Sequence, residues 1–420
     1  MNFKVEYGIN SNFIDITSSL NKYIINNNYI VIPFGDHNRR DMFCCDPCVG
    51  EQKIVKITFL KNNEVFFFDS SENVYIDITE NNLYKELSCP TYILDIINSH
   101  IIKNITNIKS ACISFQSKNS NVFPITFSIP ECKIVKNVPK KNKLISDLIP
   151  GVLSTYVYNN ENDYYKEYMS STFATTFRKG GWDCLRHYEI LACGSIPYFP
   201  FIENCPDNTL KLFPKHLIVE GNLLFIKLKK QKIQDLSNDE LNQCENLTRR
   251  CLEYTRNNLT TIKMAQYILN KININDIENL KILYLSGDTR EDYLSCLNLI
   301  GFKELIGSNC HDYPKNKYIY KNKDIKYIKL YGKGITYSNI IDDTLHLNDR
   351  DINVETDILN KDYDIIMYGN YHRGMPFFDI VNKIYSPNEI VLICGEDEHC
   401  CDYKTFSYKG YNVFVRELYD

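Results

Sequence analysis

The sequence predicts a multidomain α/β protein in which a small β-sandwich precedes two Rossmann-like domains. Three observations carry this expectation. Residues 1–80 consist of short β-branched and aromatic runs divided by Gly, Asp, Asn and Ser clusters, the rhythm of antiparallel strands. From residue 144 onward strands alternate with helical stretches, as in doubly wound sheets. The length of 420 residues accommodates two or three domains of about 150 residues each.

Taken in order, strands are expected at 29–33, 53–60, 64–68 and 74–78, within a β module at 1–85. A connecting α/β region covers 86–143, with a helix at 90–103, strands at 111–115 and 124–128, and a polar linker at 138–143. The next domain, 144–279, opens with a strand at 171–177, a tight loop at 178–181, a helix at 184–193 with Asp183 at its N-cap, and a short strand at 196–199. Gly194 closes that helix as a C-cap. Ser237 with Glu240 forms a capping box for a long helix that reaches residue 271, with a break near Asn257-Asn258. The last domain, 280–420, has strands at 281–286, 327–331, 364–368, 390–394 and 412–415. Its first helix is capped by Asp288 with Glu291, runs to Asn298 and is ended by Gly301. No internal repeat is present.

Composition excludes several classes. Lys plus Arg number 48 and Asp plus Glu 52, a net charge of −4, so no basic field for nucleic acid exists. The start, MNFKVEYGIN, lacks the basic-then-apolar order of a signal peptide. The longest apolar runs, 29–34 and 389–394, are too short to cross a bilayer. The expected location is cytoplasmic, with the 16 Cys kept reduced as small buried hydrophobes.

The passage at 176–198 concentrates the chemistry. Gly180 and Gly181, between a strand and a helix, let the backbone approach a ligand. The helix N-terminus behind them offers free N–H groups and a positive dipole end. Arg178 and Lys179 add charge beside it, and Arg186 and Glu189 share one helix face. A diphosphate needs cations and N–H donors, and a ribose needs an acceptor, so this set suits a nucleotide diphosphate. The competing reading is an Arg186–Glu189 pair on a solvated face, worth little. Downstream, Lys215 is a further phosphate candidate, although an exposed Lys is most often merely solvated.

The residues Arg186, Glu189, Leu191, Ala192, Gly194, Ile196 and Pro197 resemble the donor-site signature of GT-B glycosyltransferases, nearest the exostosin-type pattern R..E.L..G.IPV. The resemblance implies a sugar transfer from a nucleotide-diphosphate sugar, with a UDP-sugar as first choice of co-substrate, onto a glycan or glycosylated acceptor. It implies that Arg186 meets the diphosphate and Glu189 the ribose. This sequence departs from the pattern after Pro197, where Tyr198-Phe199 replace small aliphatics. Trp182 stands where a second acidic residue is expected. The donor half also does not close the chain, so the resemblance implies a permuted order with the acceptor side at 280–420. At the front, Tyr7-Gly8, Asp15-Ile16-Thr17, Asp46-Pro47, Gly50 and Lys53 resemble a short β-sandwich accessory module.

In the last domain, Asp397 and His399 follow the strand at 390–394, and His372 follows the one at 364–368. Ligands bind at such strand ends, so these three are the candidate general bases for a sugar hydroxyl; the alternative is polar rim. Cys44, Cys45 and Cys48, His399 with Cys400 and Cys401, and Cys310 with His311 lack paired zinc spacing. No Walker loop, G-x-G-x-x-G or Asp-x-Asp motif stands near the diphosphate loop. A metal-independent hexosyltransferase is thus expected, with cations and helix N-terminus stabilising the leaving diphosphate. The alternative is a catalytically inactive carbohydrate- or nucleotide-sugar-binding or structural protein.

Overall fold

The computed structural model describes residues 3–26, 28–33, 35–43, 45–48, 51–71, 73–80, 82–85, 121–288, 290–397 and 402–419. The chain divides into two compact units, residues 1–114 and 115–420.

The first unit is an antiparallel β structure of two sheets. One has the order β2 (Asn12–Asp15), β1 (Phe3–Ile9), β4 (Ile54–Phe59), β5 (Val65–Phe68); the other runs β3 (Tyr29–Ile32), β6 (Val74–Asp77), β7 (Asn82–Lys85). In β1 and β4 alternate residues point inward, and Val5, Tyr7, Ile30, Ile32, Val55, Ile57, Val74 and Ile76 meet in one core. A helix the sequence reading missed, α1 (Asp36–Phe43), follows β3. Of the accessory-module residues, Tyr7, Asp46 and Lys53 meet at a buried cation, joined by Asp36. Lys53, 2% exposed, pairs with Asp36 and Asp46 at 2.9 Å each, and the Tyr7 hydroxyl donates to Asp36 at 2.5 Å. These residues therefore form a structural ion cluster, which a buried Lys requires. The helix expected at 90–103 and the strand at 111–115 lie outside the described residues.

The second unit holds two parallel sheets. The smaller has the order β11 (Ile196–Tyr198), β10 (Ser171–Thr175), β9 (Lys143–Ile145). Helix α2 (Glu161–Met169) precedes β10, and α3 (Leu185–Ala192) links β10 to β11. After them come α4 (Lys215–Leu228), α5 (Asn238–Asn258) and α6 (Thr261–Lys271). The Ser237–Glu240 capping box opens α5 as expected, and the break falls at Leu259, with Thr260 capping α6.

The larger sheet has six strands in the order β13 (Cys310–Tyr313), β12 (Ile282–Leu285), β14 (Ile365–Tyr368), β15 (Ile390–Cys394), β16 (Asn412–Val415), β8 (Val122–Pro124), all parallel. Strands β12, β14, β15 and β16 are buried along their whole length, as expected of a sheet covered on both faces. The chain lays down β12, steps outward to β13, and then reverses to β14, which makes the β12/β14 boundary a topological switch point. Strand β8 comes from the segment expected to be a connector, and it covers an edge of β16 that would otherwise be open. The chain thus enters the large sheet, leaves to build the small one, and returns.

Several local expectations fail for identifiable reasons. Residues 327–331, Tyr-Ile-Lys-Leu-Tyr, lie in tight 3-10 turns and pair with no described strand. Strand β13 was not anticipated, since Cys310-His311-Asp312 reads as polar. Its polar groups are met by a buried network: Lys303 pairs with Asp312 at 2.9 Å, both 1% exposed, and His346 joins Asp312 to Asp351. His311 bonds Asp351 and Tyr363. Helix α7 (Tyr293–Ile306) starts at Asp292, whose side chain accepts from the Ser295 N–H, and not at Asp288. Gly301 does not end α7; a Cβ there would lie 2.1 Å from the Thr261 carbonyl oxygen, so the glycine lets α7 press onto α6. No described helix is long and apolar enough to cross a membrane.

Gly301→Ala is expected to destabilise this unit by about 1–3 kcal/mol through overpacking, outweighing the better helix propensity of Ala. Urea denaturation of the variant against wild type measures it.

Candidate functional site

The loop that follows β10 is held from beneath by a buried histidine. His187, on α3, bonds the Trp182 carbonyl through Nε2 at 2.9 Å and the Thr176 hydroxyl through Nδ1 at 2.8 Å. Burial pushes its pKa down to about 3, so the ring is neutral and acts as a two-ended brace. Its faces pack on Phe199 and Phe213 at 4.7 and 5.7 Å between centroids.

The amide groups of this loop, expected to face a ligand, are taken by a carboxyl group from the far end of the chain. The Trp182 and Asp183 N–H groups donate to the Glu417 carboxylate at 3.1 and 2.9 Å. A Cβ at Gly181 would sit 2.3 Å from Glu417 Oε1, and one at Gly180 would sit 2.2 Å from Asp397 Oδ2. The glycine pair is thus needed to admit two carboxylates from the far end of the chain. Arg416 ties the group together: it donates to the Asp183 carbonyl at 2.7 Å, to the Gly395 carbonyl at 3.0 Å, to Glu417 at 3.2 Å, and to Asp397. Its guanidinium also lies 5.1 Å from the Phe127 ring centroid.

Asp183 does not cap α3. Its oxygens accept from the Phe127 N–H at 2.7 Å and the Tyr188 hydroxyl at 2.9 Å. Burial raises its pKa to about 6, against the pull of Arg416. Burial likewise raises Glu417 to about 7; Arg416 and the two N–H donors oppose this, and the neighbouring Asp183 adds to it.

The predicted binding residues separate into two groups. Arg178 is buried, with its guanidinium 4.9 Å from the Trp182 ring centroid and 3.5 Å from the Tyr419 hydroxyl. Lys215 turns inward and donates to the Pro206 carbonyl at 2.7 Å, and its burial lowers its pKa. These two cations have structural work. Lys179 and Arg186 differ: among the described residues neither forms an ion pair, and the buried Arg186 Nη1 has no hydrogen-bond partner. Burial and the Arg186 charge together lower the pKa of Lys179, so the two cations are near enough to repel. Two neighbouring cations that form no ion pair among the described residues are an arrangement that an anionic ligand relieves.

Glu189 does not pair with Arg186 on a solvated face. It is fully buried and accepts from the Tyr164 hydroxyl at 2.7 Å and the Thr336 hydroxyl at 2.5 Å. Burial raises its pKa, partly offset by these two donors. Thr336 sits at φ +78°, a conformation that strains a β-branched residue.

Of the candidate bases, Asp397 reaches the glycine loop but has one oxygen on Arg416. His372 is exposed in the turn Tyr371–Arg373 after β14, stacked on Tyr371 at 4.2 Å, and its burial-lowered pKa is opposed by Glu396 and Asp402. His399 lies outside the described residues. Sequence reasoning missed Arg416, Glu417, Tyr164 and Thr336. The signal available for the first two was an ion pair of residues directly after the apolar strand β16.

Because Glu417 and Asp183 have raised pKa values in the folded chain, their protonated forms favour folding. Their contribution is full below about pH 4 and is lost as pH rises through about 6 to 7. Glu417→Gln is therefore expected to gain stability relative to wild type between pH 5 and 8, on the order of 1–3 kcal/mol. Parallel urea titrations across that range measure it, and a constant difference would contradict the assignment. No known protein family, curated protein or solved structure matches this chain.

Proposed function

We propose that residues 115–420 form a metal-independent glycosyltransferase of GT-B type, which moves a sugar from a nucleotide-diphosphate sugar to an acceptor hydroxyl. The observation that carries the reading is the neighbouring cations Lys179 and Arg186 before and within the first turn of α3, neither of which forms an ion pair among the described residues. In this reading the two cations hold the diphosphate and stabilise it as it leaves, which preorganised charge does without a metal. The six-stranded sheet packs on the same loop through Arg416 and Glu417, so an acceptor held there would face the donor. His372 and Asp397 are the candidate bases, and a UDP-sugar is the first donor to test. Ribose binding to Glu189 further requires that the Thr336 hydroxyl give up its place, since both carboxylate oxygens have protein donors.

Those occupied groups favour one other reading, a catalytically inactive carbohydrate- or nucleotide-sugar-binding or structural protein. Its amide pair is filled by Glu417 and its Glu189 by Tyr164 and Thr336. Product formation separates the two.

A thermal-shift panel of UDP-, GDP-, CMP- and dTDP-sugars on wild type and Arg186→Ala tests the site. A ligand at about 100 times its Kd stabilises by about 2.7 kcal/mol, and one donor is expected to raise the wild-type Tm but not that of the variant. Turnover of that donor supports the enzyme; binding without turnover supports the inactive protein. A flat panel with well-folded wild type removes the nucleotide-sugar reading.

A further inference from the structure

The crossover from β13 to β14 throws a short loop, residues 332–336, onto the helix that carries Arg186 and Glu189. Its neck is fixed. The Tyr331 and Tyr337 rings both pack on Tyr293, with centroids 5.3 and 5.1 Å away, and the Tyr337 hydroxyl donates to the Tyr331 carbonyl at 2.9 Å. A Cβ at Gly332 would run into the Tyr293 hydroxyl, so the glycine lets the loop leave its neck flush against that ring.

The tip is held differently. Among the described residues, every hydrogen bond that ties it to the small-sheet side involves a side chain. Lys333 Nζ donates to the Tyr158 carbonyl at 2.6 Å and to Asn159 Oδ1 at 2.9 Å. The Thr336 N–H donates to Glu161 Oε1 at 2.7 Å. The single proton of the Thr336 hydroxyl goes to Glu189 Oε1 at 2.5 Å, so its oxygen accepts from the Tyr165 hydroxyl at 2.7 Å. Between these two residues, Ile335 packs on the core that contains Tyr164, Tyr165, Tyr168 and Ile190.

The backbone of the loop is not one its residues favour. Gly332, Lys333, Gly334 and Thr336 have φ of +57°, +59°, +67° and +78°. This left-handed region strains Lys333, and strains the β-branched Thr336 more. Contacts made at the tip therefore hold the loop in its shape, and losing them lets the backbone relax about a neck that stays in place.

We propose that residues 332–336 form a strap that is closed over Glu189 and opens at its tip to give a ligand access to α3. The neck at Tyr331 and Tyr337 is its hinge. The inference rests on the nucleotide-sugar reading only for the identity of the ligand. On that reading the Thr336 hydroxyl occupies the place of a ribose hydroxyl, so the closed strap and the bound donor exclude each other. The closed state then weakens the apparent affinity by the fraction of chains that are open.

Hydrogen exchange of the full chain, resolved to single amides by fragment mass spectrometry, tests the strap without any ligand. The amide at position 336 is expected to exchange faster than those of α3 and β14. Thr336→Val keeps the β-branch and removes the hydroxyl, and Lys333→Ala removes the other tether. Each is expected to speed exchange at position 336 about tenfold or more and to leave α3 and β14 unchanged. A donor found by thermal shift is expected to bind Thr336→Val about fivefold or more tighter than wild type. Three results would overturn the proposal: exchange at position 336 only at the rate of α3 and β14, variants that speed exchange throughout residues 115–420, or a donor bound no more tightly by Thr336→Val. Accelerated exchange confined to the strap, with a flat donor panel, supports the strap and removes the nucleotide-sugar reading. A donor lost in Arg186→Ala, with a position 336 that opens only together with α3 and β14, does the reverse.

Discussion

Arg416 is the interaction on which the second unit depends. It is a buried cation whose guanidinium reaches the loop before α3 and the strand end after β15 at once. Desolvating such a charge is costly unless its donors all find acceptors, and here two carbonyls and two carboxylates supply them. The same geometry delivers Glu417 to the Trp182 and Asp183 N–H groups. One residue pair at the end of β16 therefore joins the small parallel sheet to the large one, and in doing so fills the amide pair that a free helix N-terminus would present to a ligand.

This join defines what remains for chemistry. With Arg178 over the Trp182 ring and Lys215 turned to a carbonyl, Lys179 and Arg186 are the cations of the loop region that form no ion pair among the described residues. Thr336 makes a second join, from a left-handed backbone position onto the buried Glu189. A ligand that used Glu189 would compete with a hydroxyl of the protein itself, so binding there and release of the 331–339 turn would be coupled.

The legibility of the fold followed the range of the forces involved. The ranges at 390–394 and 412–415 appear as β15 and β16, because an unbroken apolar run can only be buried on both faces. The Ser237–Glu240 box was readable because capping involves residues three apart, and the break, expected near Asn257-Asn258, falls at Leu259. Asp183 and Asp288 misled for the same reason: each stands where a cap belongs, yet Asp183 is claimed by Phe127 and Tyr188, and Asp292 takes the cap of α7. Gly301 read as a stop, although its lack of a side chain serves a helix contact and not a turn. Strand β13 escaped notice because its polar residues are paid for by Lys303, His346 and Asp351, none of them local.

The sequence by itself determined the β-rich front, the α/β alternation, and a glycine loop leading into a helix that carries Arg186 and Glu189. Those features arise from neighbours within a few residues, where backbone geometry and periodicity act. Only the tertiary structure decided which anion meets the loop and which donors meet Glu189. Glu417 lies 234 positions from Asp183 and Thr336 lies 147 from Glu189. Hydrogen bonds act over about 3 Å, so such partners are chosen by how the sheets pack, a property that no local pattern of residues encodes.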